Sequence, residues 1–432
     1  MYRIILILLS LSKLSCYEKP TFKIYKEIPI TQSDQKYPYR FQFNADGKLI
    51  ISFYHSYTDS PSKEEIATSL MYLNTKDNIL EKFPTEEPLC SVMGFTIDRN
   101  NRSFILDQGV IHQESNTVDL NSSKIIYRNN GEEKIYEFTN INLKYSILTD
   151  IVVDYEGKYG YIIDGGIMGN NKPGLIVYNF NDKKSVKVLI NHRSFKQDKI
   201  NSDDSDDILH NVKINNIQIS CDGGTIYYSS PHSKLLYYVS TKALIDAYEK
   251  NKNSNTEIDS NDIEVKNITL DFFSYHTLIS SKNNIFAINK ETNDVELSLT
   301  IDGELLNYQK DKIKKIENEK KDKDYVPISI NVNNGKLYLL TSNKYEQDDR
   351  RKIIIYEATL NNDEFNNNVG CTVFIFKLYG TLIFIFVLVF IILCIAIMMI
   401  IANSGQKLEI SNLKKEMEKE AEINELNRQL NE

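Results

Sequence analysis

The chain has 432 residues, a formal net charge of −8 from 51 Lys and Arg against 59 Asp and Glu, and no tryptophan. Phosphate binding needs a concentrated basic surface, and the lysines here are dispersed in short loops, which argues against a nucleic-acid partner. Five cysteines are too few to staple a chain of this length, so it must bury a sizeable apolar core.

Taken in chain order, Met1 to Cys16 carries Arg3, an apolar stretch from Ile4 to Leu9 and small residues at Ser12, Ser15 and Cys16. That layout predicts a secretory signal peptide over 1–16, and with it an oxidising compartment for the rest of the chain. Residues 17–370 are expected to form one large β-domain. Within it a motif recurs: alternating apolar residues, a polar turn often containing Asp, Asn or Gly, then a second apolar run. The copies are Phe41 to Ile51, Phe95 to Leu106, Ile151 to Ile163, Ile217 to Tyr228, Thr277 to Ile288 and Ile328 to Leu339. Each reads as a β-hairpin, because the period of two buries one face and Asp-Gly, Asn-Asn or Asn-Gly accepts the positive φ of a tight turn. The spacing leaves room for two further strands per copy, as in Gly174 to Tyr178 and Val186 to Leu189. Four-stranded sheets repeated around an axis make an all-β, six-bladed β-propeller. Closing the ring requires the last blade to borrow a strand from the other end of the chain. Thr21 to Ile30 is the expected donor, beside Lys352 to Ala358.

Polar insertions at Lys196 to Asn211, Tyr248 to Asn261 and Gln309 to Asp324 read as surface loops. Leu378 to Ala402 has no charged residue and is long enough for one transmembrane helix over 378–402. Lys407, Lys414, Lys415 and Lys419 follow it and only Lys377 precedes it closely, which predicts a cytoplasmic tail over 403–432. That tail is rich in Glu, Lys and Leu and should be helical. Of the cysteines outside the two apolar segments, Cys90, Cys221 and Cys371, one pair is a candidate disulfide, and all three staying reduced is the alternative reading. Cys371 and the tail helix are candidates for self-association. Asn101, Asn121 and Asn267 each begin an Asn-x-Ser/Thr glycosylation sequon.

Leu148 to Asp154, Tyr161 to Gly166, Gly174 to Tyr178 and Ser185 to Leu189 resemble, in order and spacing, the signature of the major royal jelly and yellow proteins. Ile217 to Ser229 with Lys234 to Thr241 resembles the same family's next blade, and Phe104 to Gly109 its second. The likeness runs from about Tyr39 to Ala358. It implies a six-bladed propeller in a family variously linked to pigment formation, amine binding and protein assembly. The chain departs from the pattern at Phe104, where the family carries Trp, and at Asn100, where it carries Cys.

Propellers bind ligands in the central funnel, toward which the starts of the innermost strands point. The expected funnel residues are Arg40, Met93, Asp150, Asn215, Tyr275 with His276, and Val326. In lactonase-type propellers an Asn and an Asp from successive blades hold a divalent cation there. Asn215 matches the first, but the second position reads Tyr275, leaving Asp150 and Asn215 as the candidate pair for Ca2+. No other cofactor is implied. Asp98, Asp107, Asp154 and Asp164 recur at turns, where carboxylates accept backbone hydrogen bonds. The first functional reading is a single-pass type I membrane protein, at the cell surface or in the secretory or endolysosomal pathway. Its extracellular propeller would bind an amine-like small molecule, a glycan or a protein. The alternative is an enzyme of the funnel, a dopachrome-conversion-like isomerase or a lactonase, with Asp150 or His276 as acid or base.

Overall fold

The computed structural model describes residues 22–30, 37–54, 69–112 apart from 75 and 99, 117–118, 122–166, 172–195, 216–220, 222–229, 234–254, 262–270, 274–279, 285–289, 295–298, 314–316, 325–343, 351–359, 410–424 and 428. The chain divides into two units, Met1–Asn368 and Val369–Glu432. Among the described residues the first holds six four-stranded antiparallel sheets. After β1 (Lys23–Ile30), the first sheet holds β2 (Tyr37–Phe43), β3 (Leu49–Tyr54), β4 (Leu70–Asn74) and β5 (Ile79–Lys82). In the second, β6 (Val92–Ile97) and β7 (Ser103–Asp107) are followed by a short pair, β8 (Ile111–His112) and β9 (Thr117–Val118), before β10 (Lys124–Asn129) and β11 (Glu132–Glu137). The third comprises β12 (Leu148–Val153), β13 (Tyr159–Asp164), β14 (Gly174–Asn179) and β15 (Lys184–Val188), and the fourth β16 (Asn216–Ile219), β17 (Thr225–Ser229), β18 (Leu235–Ser240) and β19 (Val265–Thr269). The fifth holds β20 (Ser274–Ile279), β21 (Ile285–Asn289), β22 (Val295–Ser298) and β23 (Lys314–Ile316). The sixth has β24 (Tyr325–Asn333), β25 (Lys336–Asn343) and β26 (Arg351–Thr359), and its outermost place is taken by β1.

The first strand of each sheet touches that of the next: β2 to β6, β6 to β12, β12 to β16, β16 to β20, β20 to β24, and β24 back to β2. This closed succession is a β-propeller. The third sheet is packed on both faces, which is why β12, β13 and β14 are buried along their whole length and read as near-continuous apolar runs. Between the third and fourth blades, Tyr161, Ile163 and Val177 pack with Ile217 and Tyr228 in one core. The closing strand is the one the sequence predicts: β1 pairs antiparallel with β26, Ile28 facing Ile353, and Ile28 and Phe22 are buried.

The innermost hairpins share one turn. In the first four, the N–H of Gly47, Asn101, Gly157 and Gly223 donates to the carbonyl of Asn44, Asp98, Asp154 and Ser220, at 2.9 to 3.0 Å. Those four donors all have positive φ, between 61° and 73°, the conformation that Gly adopts freely and Asn tolerates. The first turn residue also receives a backbone N–H on its side-chain oxygen: Lys48 to Asn44, Arg102 to Asp98, Lys158 to Asp154 and Thr225 to Ser220. Asp98 and Asp154 are therefore turn-formers, as their spacing implies.

Two polar insertions are more ordered than their composition suggests. Tyr248 lies in helix α1 (Thr241–Asn251), fully buried, with its hydroxyl donating to Asp182 Oδ2 at 3.2 Å. Leu244 and Tyr248, one helical turn apart, face the core between the third and fourth blades, so the loop expected from Tyr248 begins inside a helix. The insertion from Gln309 contributes β23, the outermost strand of the fifth blade. Lys196 to Asn211 lies outside the described residues.

In the second unit, helix α2 occupies 410–424 within the predicted helical tail, and every described residue of it is exposed. Residues 1–16 and 378–402 lie outside the described residues. Among the described residues no helix is long and apolar enough to cross a membrane.

Candidate functional site

The start of the innermost strands is shaped by a repeated β-bulge. The pairing register shifts between Pro38 and Arg40, Val92 and Gly94, Leu148 and Asp150, Ser274 and Thr277, and Pro327 and Ser329. Tyr39, Met93, Thr149 and Ile328 are thus the extra residues that the register of Cα pairing passes over. A bulge twists a strand and re-aims the side chain after it. Counting back from the turn, the equivalent positions just past the bulge are Arg40, Gly94, Asp150, Asn216, His276 and Ser329. Arg40, Asp150 and His276 are among the funnel residues expected from the sequence, while Gly94 and Asn216 stand one residue after the expected Met93 and Asn215. At Met93 the extra residue is the reason. An alternation count is thrown off by one where a strand bulges, and a bulge leaves no mark in a hydrophobic pattern.

The structure brings Arg40 and Asp150 together across the second blade. Arg40 Nη2 and Nε lie 3.2 and 3.3 Å from Asp150 Oδ2, and both side chains are buried. Oδ2 also accepts the backbone N–H of Ile217 in the fourth blade at 3.2 Å, and Oδ1 accepts that of Ile151 at 3.0 Å. The intervening strand contributes Gly94, where a Cβ would stand 2.6 Å from Asp150 Cα. Only glycine permits that approach of β6 to β12. The Arg40 guanidinium also stacks over the Tyr39 ring, 4.8 Å from its centroid, and its backbone N–H donates to Ser52 Oγ at 3.1 Å. Burial pushes the Asp150 carboxyl above the usual aspartate range, opposed by the Arg40 charge and the backbone donors. Burial likewise pushes the Tyr39 hydroxyl up.

Asp150, one of the two residues expected to hold Ca2+, is already engaged. Both Asp150 oxygens already have donors aimed at them, and a cation bound there would lie beside the like-charged Arg40 guanidinium. Met93 is buried under the Ser52 hydroxyl, which donates to its carbonyl. Asn215 lies outside the described residues; Asn216 beside it is buried at the start of β16. Tyr275 and His276 belong to β20.

A second buried cluster explains the Asp-Gly-Gly part of the family-like signature. Asp164, at the end of β13, accepts Ser146 Oγ at 2.5 Å and Lys187 Nζ at 2.6 Å on Oδ2, and the Gly166 N–H at 2.9 Å on Oδ1. Lys187 reaches it from β15 across β14 at Gly174, whose absent Cβ would lie 3.3 Å from Lys187 Cε and 2.8 Å from the Val188 carbonyl. In the second blade Asp107 accepts the N–H groups of Cys90, Ser91 and Gly109. Beside it the Gln108 carboxamide donates to the Ser146 carbonyl at 3.2 Å and accepts the Leu148 N–H. These carboxylates tie blade to loop, as expected for turn positions.

Of the sequons, Asn101 is half-buried and its Oδ1 accepts the Ala45 N–H of the neighbouring hairpin at 3.1 Å, whereas Asn267 is exposed on β19. Asn121 lies outside the described residues. So do Cys221 and Cys371; Cys90 donates its N–H to Asp107.

The family described as major royal jelly protein matches residues 90–371. No curated protein matches the chain. Among solved structures, a protein of unknown function from Dyadobacter fermentans aligns at 8% identity and a TM-score of 0.46 over 79% of this chain and 100% of its own. Regucalcin, a calcium-binding protein from Agrobacterium tumefaciens, aligns at 12% and 0.43 over 80% and 95%. A virginiamycin B lyase from Staphylococcus aureus aligns at 12% and 0.41 over 78% and 90%. At these identities and scores the likenesses bear on neither ligand nor activity.

Proposed function

The chain belongs to the major royal jelly protein family, and on that premise we propose that it is a binding protein: a six-bladed propeller held on the outer side of a membrane by the apolar segment 378–402, engaging an amine-like small molecule, a glycan or a protein. The observation that carries this reading is the engagement of Asp150. The carboxylate best placed for acid or base work accepts an arginine and two backbone N–H groups from three blades, which suits a group that fixes the funnel wall rather than one that exchanges protons with a substrate. Export and anchoring rest on the signal-like start and on the lysines that follow the apolar run.

One observation favours a second reading. A buried carboxyl whose proton affinity is raised, beside a cation, is also how a general acid is prepared, and in that case the funnel would rearrange an oxidised catechol or open a lactone. The two readings separate in one experiment. Residues 17–368 are expressed as a soluble fragment and screened against small amines, catechols and lactones, first by thermal shift and then for turnover. The binding reading expects shifts without turnover. Turnover that is lost in Asp150→Asn while the fold is kept would overturn it in favour of the enzyme.

A further inference from the structure

The outermost strand of each propeller blade ends in an open row of backbone N–H and C=O groups, a template for pairing with another chain. Charged residues guard most of these edges. β1 carries Lys23, Lys26 and Glu27; β5 carries Glu81 and Lys82; β11 carries Glu132, Glu133, Lys134 and Glu137; β23 carries Lys314 and Lys315. β15 carries Lys184 and Lys187 and is packed against α1. The edge of the fourth blade differs. β19 reads Val-Lys-Asn-Ile-Thr, with Lys266 as its one charge, and it is the terminal strand of its sheet. Val265 and Ile268 are buried, while Lys266, Asn267 and Thr269 are exposed. The sequon Asn267-Ile-Thr269 therefore lies on the blade edge with the fewest charges, with both its acceptor amide and its hydroxyl residue on the solvent side.

We propose that Asn267 carries an N-linked glycan that shields this edge against strand addition by a second chain. In the transfer, the Asn267 carboxamide nitrogen attacks C1 of a sugar carried on a lipid pyrophosphate. The N–C1 bond forms, the C1–O bond to the pyrophosphate breaks, and the nitrogen gives up one proton to a base of the transferase. A hydrated oligosaccharide at mid-strand excludes an incoming strand by volume, where the other edges exclude it by charge. The inference rests on the export reading above.

The test uses the full chain, expressed in eukaryotic cells with a second sequon placed in a tag after residue 17 as an internal control. Treatment with an amidase that hydrolyses the bond between the Asn side-chain carbonyl and the glycosylated nitrogen, releasing the glycosylamine, is expected to leave Asp at 267 in the peptide mass spectrum. Asn267→Gln and Thr269→Val should each abolish that glycan while the tag remains modified. If the tag is glycosylated and Asn267 is not, the assignment is overturned and export stands; if neither is modified, the export reading fails and takes the assignment with it. The shielding role has its own readout. Asn267→Gln should form several-fold more high-mass aggregate than wild type, and Asn267→Lys, which restores a second charge without a glycan, should return to the wild-type level. Equal aggregation of the two variants would sink it.

Discussion

Arg40 and Asp150 show what a buried ion pair does in a ring of sheets. Taking two charges out of water is expensive, so such a pair adds little over apolar packing, yet leaving one partner alone is strongly destabilising. Arg40→Met should therefore lower stability by about 3–5 kcal/mol, and the double variant Arg40→Met with Asp150→Leu should recover part of that loss, both read by urea denaturation of residues 17–368. The pH dependence has a definite sign. Because burial raises the native Asp150 pKa above the unfolded value near 3.8, the native state holds a proton that the unfolded chain has released. Stability then falls as pH climbs from 3.8 through the raised native value and is level beyond it. Asp107 and Asp154 are shifted upward by burial in the same direction, so Asp150→Asn should shallow that fall without removing it. An unchanged slope in the variant would mean that Asp150 titrates like an exposed carboxyl.

Between elements, glycine sets how closely strands and loops approach, and it does so for two different reasons. At Gly94 and Gly174 the backbone is ordinary and the missing Cβ is what matters, since a neighbouring chain occupies its place. At Gly47 nothing lies within 4 Å of that place and only the φ of +73° is special. Gly157 combines both, with the Arg102 guanidinium 2.7 Å from the would-be Cβ while it donates to the Tyr155 and Glu156 carbonyls. Asparagine separates the cases because it tolerates left-handed backbone, as Asn101 does in the equivalent turn. Gly47→Asn should stay within about 0.5 kcal/mol of wild type, whereas Gly94→Ala should cost about 1–3 kcal/mol or more. Chemical denaturation of the two variants side by side checks this, and equal costs would mean that β6 can move away from β12.

At the scale of the whole propeller, the ring is held shut by β1. Its Ile28 is fully buried in the core shared by the sixth and first blades, so Ile28→Ala should cost about 2–5 kcal/mol. Deleting 22–30 should cost far more than any point change, because it bares the edge of β26 and leaves the sixth blade with three strands. The expected outcome is loss of a single cooperative thermal transition and aggregation at low concentration; a truncated domain melting as sharply as the intact one would show that closure is dispensable.

The sequence by itself determined the repeated unit, the turn chemistry and the closing strand. Period-two alternation and the Asn, Asp and Gly of the hairpins are local properties, and local physics decides them. It did not reveal α1, because Thr241 to Asn251 has only Leu244 and Tyr248 fully buried among its large side chains, and their helical spacing becomes meaningful only once the third and fourth blades present a groove. Nor did it show that Gly94 rather than Met93 holds the position equivalent to Arg40 and Asp150, since one extra residue at the bulge shifts the strand's phase. That Arg40 meets Asp150 was decided only in the tertiary structure. The two are 110 positions apart, and their distance depends on how three blades stack around a glycine, which no run of neighbouring residues encodes.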